Sequence, residues 1–355
     1  MPDAPPSSRG SDRLLSARLE RSLFWRLKLR LQFTGWLQYL PPALVALLSL
    51  GLAALAHGLG FTWPFWPLLV IGSLVGAIDL FDVITVKLGL RPAESLPQPK
   101  GDLDAFDLMR ARTSCRSFQA RLLTDAHRAE LLDVVARCTR PEALLGDRPI
   151  RLAYVQARLT VWPVVGAREF LVAIAPEPYD RRAIIDVGRS LQEVVLHATR
   201  MGLGTCWIGP GADPSSIAAH LGESFDPAKS HVVCVCAIGY ASRFVPMLLR
   251  LMRRTQARRR PLASLFFADA GFEAPLDVQA APYAAFGRCY EVCQWSPSSY
   301  NSQTTRAAVI GEAADRAPRV ARVDFATATA SRYYAPVALG IWLTNWQTGC
   351  TALGR

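Results

Sequence analysis

The chain of 355 residues has no CxxC pair and no cysteine–histidine cluster at metal-ligand spacing, although it holds eight cysteines. That excludes a zinc-ribbon or disulfide-framework reading and leaves reduced thiols as the simplest interpretation. Cys234 and Cys236 alternate along an apparent strand, and Cys289 and Cys293 stand four apart on an apparent helix, so all four read as core fillers. Histidine is scarce, five in all, and none belongs to a serine–histidine–aspartate set. Paired carboxylates are missing as well, so acid–base hydrolysis has no footing here. His197 reads as a buried, satisfied side chain and Glu193 as paired with a neighbour. Acidic residues are short too, 29 against 40 Lys and Arg, giving a net charge of +11. Such an excess suits an anionic partner, whether a phosphate, a lipid surface or a nucleic acid. The most basic run, LLRLMRRTQARRRP, lacks the interleaved aromatics of a nucleic-acid surface, and no nucleic-acid partner is expected.

What the sequence does have, near its start, is two long apolar runs. Residues 37–60 and 63–86 each approach the ~20 apolar residues that cross a bilayer core, with Trp36, Tyr39, Trp63 and Trp66 at their ends. They read as a membrane hairpin within 37–90. Arg9, Arg13, Arg18, Arg21, Arg26, Lys28 and Arg30 precede it and Lys87 and Arg91 follow, placing both flanks on the cytoplasmic side of a cell inner membrane. Asp79 and Asp82 near the end of the second run leave a re-entrant or interfacial helix as the alternative. The basic leader, residues 1–36, places Leu19, Leu23, Phe24, Leu27 and Leu31 at helical spacing and reads as an amphipathic helix on anionic lipid; a solvated helix docked on the soluble region is the alternative. Residues 91–104 have linker composition.

The remainder alternates helix-period and strand-period segments, which implies an α+β or α/β sandwich. A helix is expected over 127–136, capped by Thr124 or Asp125. Strands are expected at RLAYVQARL, EFLVAIAP and HVVCVCAIGY, and Asp213-Pro214 marks a short helix start. Ile184 to Met201 carries one continuous apolar face ending at Gly202, the signature of a core helix with a left-handed cap.

Three segments invite a chemical reading. In RARTSCRSF, Arg112, Ser114 and Arg116 project to one side of an extended segment and suit a terminal phosphate, the alternative being a solvated loop. In GLGTCWIG the glycines let a flat group approach the backbone, although helix capping explains part of them. In CQWSPSSYNSQTTR, Pro297 sets a turn while Ser298, Ser299 and Asn301 offer short donors and acceptors.

Their order, followed by IGYA and RRRPL, resembles the signature of the nitroreductase-like flavoproteins, which bind FMN. The serine–asparagine loop follows the core helix rather than preceding it, as in the single-chain variant that joins two degenerate halves. The tail YYAPVALGIWLTNWQTGCTALG faintly echoes IIDVGRSLQEVVLHATRMGLGTC, with Gly340 standing where Gly188 stands. The resemblance implies an α+β three-layer sandwich built from halves at 105–262 and 263–355, after two transmembrane helices. Arg112, Thr113, Ser114 and Arg116, with Arg258 or Arg260, would hold the FMN phosphate. Trp207, Ile208 and Gly209 would lie against the flavin ring, and Pro297, Ser298, Ser299, Asn301 and Gln303 would edge it, Asn301 through its amide. The implied activity passes a hydride from NAD(P)H through the flavin to a small acceptor, a quinone or a nitroaromatic, by a ping-pong mechanism. A flavin-binding or sensing protein without turnover is the alternative. Two halves that complete one site need no second chain. The expected partners are thus a small electron acceptor and membrane lipid.

Overall fold

The computed structural model describes residues 31, 35–159, 161–209, 212–255, 258–312 and 319–355. Apart from residues 31, 35 and 36, the basic leader lies outside the described residues. The chain divides into two compact units, one containing residues up to 92 together with 160–163 and 244–251, the other the remainder.

In the first unit α1, Leu40–Gly58, and α2, Thr62–Asp82, are both long and apolar enough to cross a membrane; a π-helical turn, Val83–Lys87, extends α2. Small residues make the contact between them. Ala46 and Ala53 are buried, and a Cβ on Gly72 would stand 2.7 Å from Leu50 Cγ, so the helices touch where side chains are smallest. This is how apolar helices pair when lipid offers no hydrophobic drive between them. Leu47, Leu48, Leu55, Val70 and Leu74 point outward and are exposed, whereas Asp79 and Asp82 are turned inward.

The second unit contains α3 (Ala105–Ala111), α4 (Asp125–Cys138), β1 (Arg151–Gln156), β2 (Glu169–Pro176), α5 (Arg181–Arg200), β3 (Gly204–Ile208), α6 (Pro214–Leu221) and β4 (Ser230–Gly239). After α7 (Met247–Thr255), whose residues up to 251 belong to the first unit, follow β5 (Phe266–Phe267), α8 (Arg288–Gln294), β6 (Arg306–Glu312), β7 (Arg319–Ala326) and α9 (Tyr334–Ala352). The fold is α+β with two separate open sheets: four antiparallel strands in the order β1-β2-β4-β3, and three in the order β5-β6-β7.

Local chemistry explains the elements. Thr124 Oγ1 accepts from the His127 N–H at the start of α4, and Asp213 Oδ2 from the Ser216 N–H at the start of α6. β2 and β4 are the near-continuous apolar runs, and Cys234 and Cys236 lie in one core cluster with Ile184, Val187, Leu191, Val194 and Val195 of α5. Gly202, at φ +81°, ends α5 while the Leu203 N–H returns to Ala198 O at 2.8 Å. Two readings change. The 91–104 stretch is gripped rather than loose: Glu94 accepts from Ser242 Oγ and the Arg243 N–H, and the Lys100 N–H donates to Arg200 O. His197 is half-exposed rather than buried, with Nε2 2.7 Å from Glu130 Oε1, because it falls on the outer side of α5.

The second core gathers Phe266, Tyr290, Trp342 and Trp346 around α8, α9 and β6. It joins the first where α9 crosses α5. A Cβ on Gly188 would lie 2.3 Å from Val337 O, and one on Gly340 only 2.1 Å from Ile185 O. The two helix backbones touch there, and only glycine fits. Gly188→Ala and Gly340→Ala should each lower the free energy of unfolding by roughly 1–3 kcal/mol or more. Gly101→Ala, where a Cβ meets nothing within 4 Å, should change it by less than about 1 kcal/mol. Urea titration of the detergent-solubilised protein checks this, and equal values for the three would show the crossing to be loose.

Candidate functional site

The segment from Arg112 onward leaves α3 in extended conformation and runs along the outer edge of β3. Ser114 bridges Thr205 in parallel, and the Cys115 N–H donates to Thr205 O at 2.8 Å. Thr205 therefore turns its backbone polar groups outward, and by strand alternation so does Trp207. Trp207 thus turns its backbone N–H along that edge beyond the Ser114 bridge, while Ile208 pairs with Val235 of β4 and Gly209 O accepts from the Ala212 N–H at 3.3 Å. A Cβ on Gly204 would come within 2.7 Å of Cys115 Sγ, so glycine is what lets the segment lie flat against β3.

A second extended stretch, Arg258 to Arg260, is held by amide side chains. Asn301 Nδ2 donates to Arg258 O at 2.7 Å and Gln303 Nε2 to the same oxygen at 3.2 Å. The Arg260 N–H donates to Gln303 Oε1 at 2.8 Å, and Gln294 Nε2 donates to Arg260 O at 2.8 Å. With the backbone so fixed, Arg258 and Arg260 point to solvent and Arg259 points in. Its Nη1 donates to Asn301 Oδ1 at 2.7 Å, and its guanidinium stands 5.2 Å from the centre of the Trp295 ring, which Arg110 approaches at 5.6 Å.

Arg112 and Arg259 are the electrostatic core of the site. Arg112 is only 8 % exposed, and its Nη1 has no hydrogen-bond partner among the described residues; neither has Arg259 Nε. Neither arginine forms an ion pair with a carboxylate among the described residues. Burial, and then the neighbouring charge of Arg259, pull Arg112 down to about 10, and burial lowers Arg259 as well. Both still carry their charge at neutral pH. Two like charges without a carboxylate among the described residues, each with an N–H unpaired, have the chemistry that suits an anion. Thr305 Oγ1 and Trp207 Nε1 are likewise buried without partners among the described residues.

The loop that grips these arginines is strained. Tyr300, Asn301 and Gln303 take φ of 52°, 53° and 48°, a region that asparagine tolerates and tyrosine and glutamine disfavour. Asn301–Ser298 and Ser302–Ser299 backbone bonds and the Gln303 N–H to Ser298 Oγ bond, 3.0 Å, hold it.

The expected residues therefore sort as follows. Arg112 is buried at the centre and Ser114 and Arg116 lie on the β3 edge, with Ser114 hydrogen-bonded to Cys206 and Thr113 exposed. Arg258 and Arg260 turn away, and Arg259, between them, takes the inward place, because alternate residues of an extended stretch face opposite ways. Pro297, Ser298 and Ser299 shape the loop. The amide of Asn301 is committed to Arg258 and Arg259 and the side chain of Gln303 to Arg258 and Arg260, so these two residues act as positioning groups. The Trp207 side chain packs on the α5 core, leaving its backbone at the edge. A Cβ on Gly209 would stand 3.1 Å from the Tyr334 ring. Arg259 and Trp295 were missed; a third arginine flanked by two others before Pro261 was the available signal.

A family described as "Putative TM nitroreductase" matches residues 104–349. Among solved structures, the Thermotoga maritima protein described as a putative nitroreductase is 17% identical, covering 73% of this chain and 89% of its own, with a TM-score of 0.44. A nitroreductase with bound FMN from Bacteroides fragilis is 17% identical over 39% of this chain and 89% of its own, at a TM-score of 0.33. A nitroreductase family protein from Clostridium difficile is 22% identical over 45% and 95%, at 0.33. No curated protein matches in sequence.

Removing a buried, partnerless charge relieves its desolvation. Arg112→Met should therefore stabilise the ligand-free protein by about 1–3 kcal/mol while abolishing anion binding. Denaturation midpoints with and without added phosphate monoester test this; a destabilised Arg112→Met protein would show that the guanidinium is already well satisfied.

Proposed function

The chain belongs to the nitroreductase family, and from that premise we propose that it is a membrane-anchored, FMN-dependent oxidoreductase with one flavin site per chain. The observation that carries the reading is the buried Arg112 guanidinium with the half-buried Arg259 near it, each with a buried N–H that has no partner among the described residues. The terminal phosphate of FMN fits them: it is compact, dianionic and rich in acceptor oxygens. When bound, FMN supplies the redox chemistry, taking a hydride from NAD(P)H and passing electrons to an acceptor.

The protein's own part is to position and exclude. Arg112 and Arg259 bind the phosphate, with Ser114 and Arg116 alongside on the β3 edge. Asn301 and Gln303 fix the Arg258–Arg260 backbone so that Arg259 faces inward. A backbone N–H near Trp207, on the edge of β3, would lie toward the ring and would stabilise negative charge on it. No side chain is required to shuttle a proton, in keeping with the scarcity of histidine. Nicotinamide and acceptor use the same opening in turn, which gives ping-pong kinetics. Arg112 lies in the first proposed half, 105–262, and the Asn301 loop in the second, 263–355, so one chain completes the site.

The membrane reading is supported by α1 and α2, whose outward leucines and valines need an apolar surrounding. With Lys87 and Arg91 past the second helix, the soluble region faces the cytoplasm. A hairpin beside a flavin site favours a lipid-soluble acceptor such as a quinone. The commitment of Asn301 away from the ring keeps a second reading in view, a flavin-binding protein without turnover, because an amide that tunes the ring edge is then missing.

The detergent-purified protein should show flavin absorption that bleaches with NADH or NADPH under anaerobic conditions. Bands that persist would support the second reading, and no flavin after reconstitution with FMN would sink both. Arg259→Gln should weaken FMN retention by about 1.5–3 kcal/mol, the worth of a charged hydrogen bond, and Arg258→Gln should leave it near wild type. In liposomes a membrane quinone should turn over faster than a soluble analogue of the same headgroup; equal rates would contradict the acceptor assignment.

A further inference from the structure

We infer that α7 is a second membrane-contact surface, a short helix lying on the anionic headgroups of the leaflet where α2 ends. The inference rests on the proposed membrane reading of α1 and α2. Three observations carry it. First, the start of α7 is tied to the end of α2, residues 244–251 belonging to the same compact unit as α2: the Met247 N–H donates to Asp82 Oδ2 at 2.6 Å, and Arg250 Nη2 stands 3.7 Å from the same oxygen. The Phe244 ring lies 6.3 Å from Phe81, and the Arg91 guanidinium is 5.5 Å from the Phe244 ring. Asp82 lies five residues before the end of the Thr62–Lys87 span, so the start of α7 is held about one turn from where that span meets headgroups.

Second, the helix is divided by face. Leu249 is 1 % exposed, whereas Arg250, Leu251, Arg253 and Arg254 all face outward. Third, the outward face has one sign. MLLRLMRRT contains no acidic residue, and Arg253 and Arg254 have no carboxylate partner among the described residues. Three guanidiniums with an exposed leucine beside them match lipid phosphates with an acyl boundary just below. Arginine suits this contact through its bidentate grip on phosphate oxygens, and its long stem reaches the headgroups while the helix stays on the protein. Such a contact is electrostatic in selectivity, so it depends on lipid charge and weakens with salt.

The test is hydrogen exchange on the full-length protein in nanodiscs of phosphatidylcholine alone and of phosphatidylcholine mixed with phosphatidylglycerol. Amides of 248–255 should exchange on the order of tenfold more slowly in the anionic discs at low salt. High salt should remove the difference, as should the triple variant Arg250→Gln, Arg253→Gln, Arg254→Gln. Strong protection of 40–58 and 62–82 in both discs, with α7 indifferent to lipid charge, would overturn this inference alone. Loss of protection in the two long helices would overturn the membrane reading and this inference with it. In the variant, unchanged protection of those helices and of α5 shows that folding is intact, so a lipid effect that survived there would also count against the arginines.

Discussion

The contact on which the soluble region depends is the backbone-to-backbone crossing of α5 and α9 at Gly188 and Gly340. Everything on the far side of it is placed by what that approach allows. Thr344 Oγ1 reaches Arg189 O at 3.0 Å, and Gln192 Nε2 reaches Asn345 Oδ1 at 3.0 Å, bonds that longer separation would forbid. Asn345 in turn donates to Val292 O and, at 2.7 Å, to Ser296 Oγ. Ser296 is next to Trp295, on whose ring Arg259 rests, and the same arginine faces Arg112 electrostatically. A chain of polar contacts thus runs from the helix crossing to Arg259 and Arg112. Buried networks of this kind specify one arrangement because any broken link leaves a desolvated group behind.

That arrangement is not relaxed. A buried guanidinium, Arg112, and a half-buried one, Arg259, lie near each other without a carboxylate among the described residues, and three residues that are not glycine sit at positive φ in the loop that holds Arg259. Each feature costs free energy, which the packed cores around α5 and α9 offset. Such tension fits the proposed anion site: a bound anion would meet donors already aimed and would remove the repulsion between the two guanidiniums.

How far the sequence disclosed this follows from how local each signal is. The core helix, its glycine cap, the strands and the threonine and aspartate caps were legible, because periodicity and capping act over a few neighbouring residues. Gly188 and Gly340 were matched by an echo between two stretches far apart, and these are the two glycines that touch. Arg112 was singled out from its serine-arginine company, and the structure buries it. Arg259 was not, since RRRP gives no clue to which arginine faces inward; the parity is set by Asn301, Gln303 and Gln294 gripping the backbone, a nonlocal fact. For the same reason Asn301 read as a ligand group when its amide is taken up by the chain. The 91–104 stretch had the composition of a linker, yet its anchors are single hydrogen bonds to distant residues.

The central claim is that Arg112 and Arg259, 147 positions apart in the chain, meet at one phosphate. Calorimetric titration of the flavin-free protein with FMN and with riboflavin tests it most directly, since the two ligands differ only in that group. The account predicts one FMN per chain and riboflavin binding at least about 100-fold weaker, the loss of two charged hydrogen bonds. Equal affinity for the two, or two FMN per chain, would contradict it.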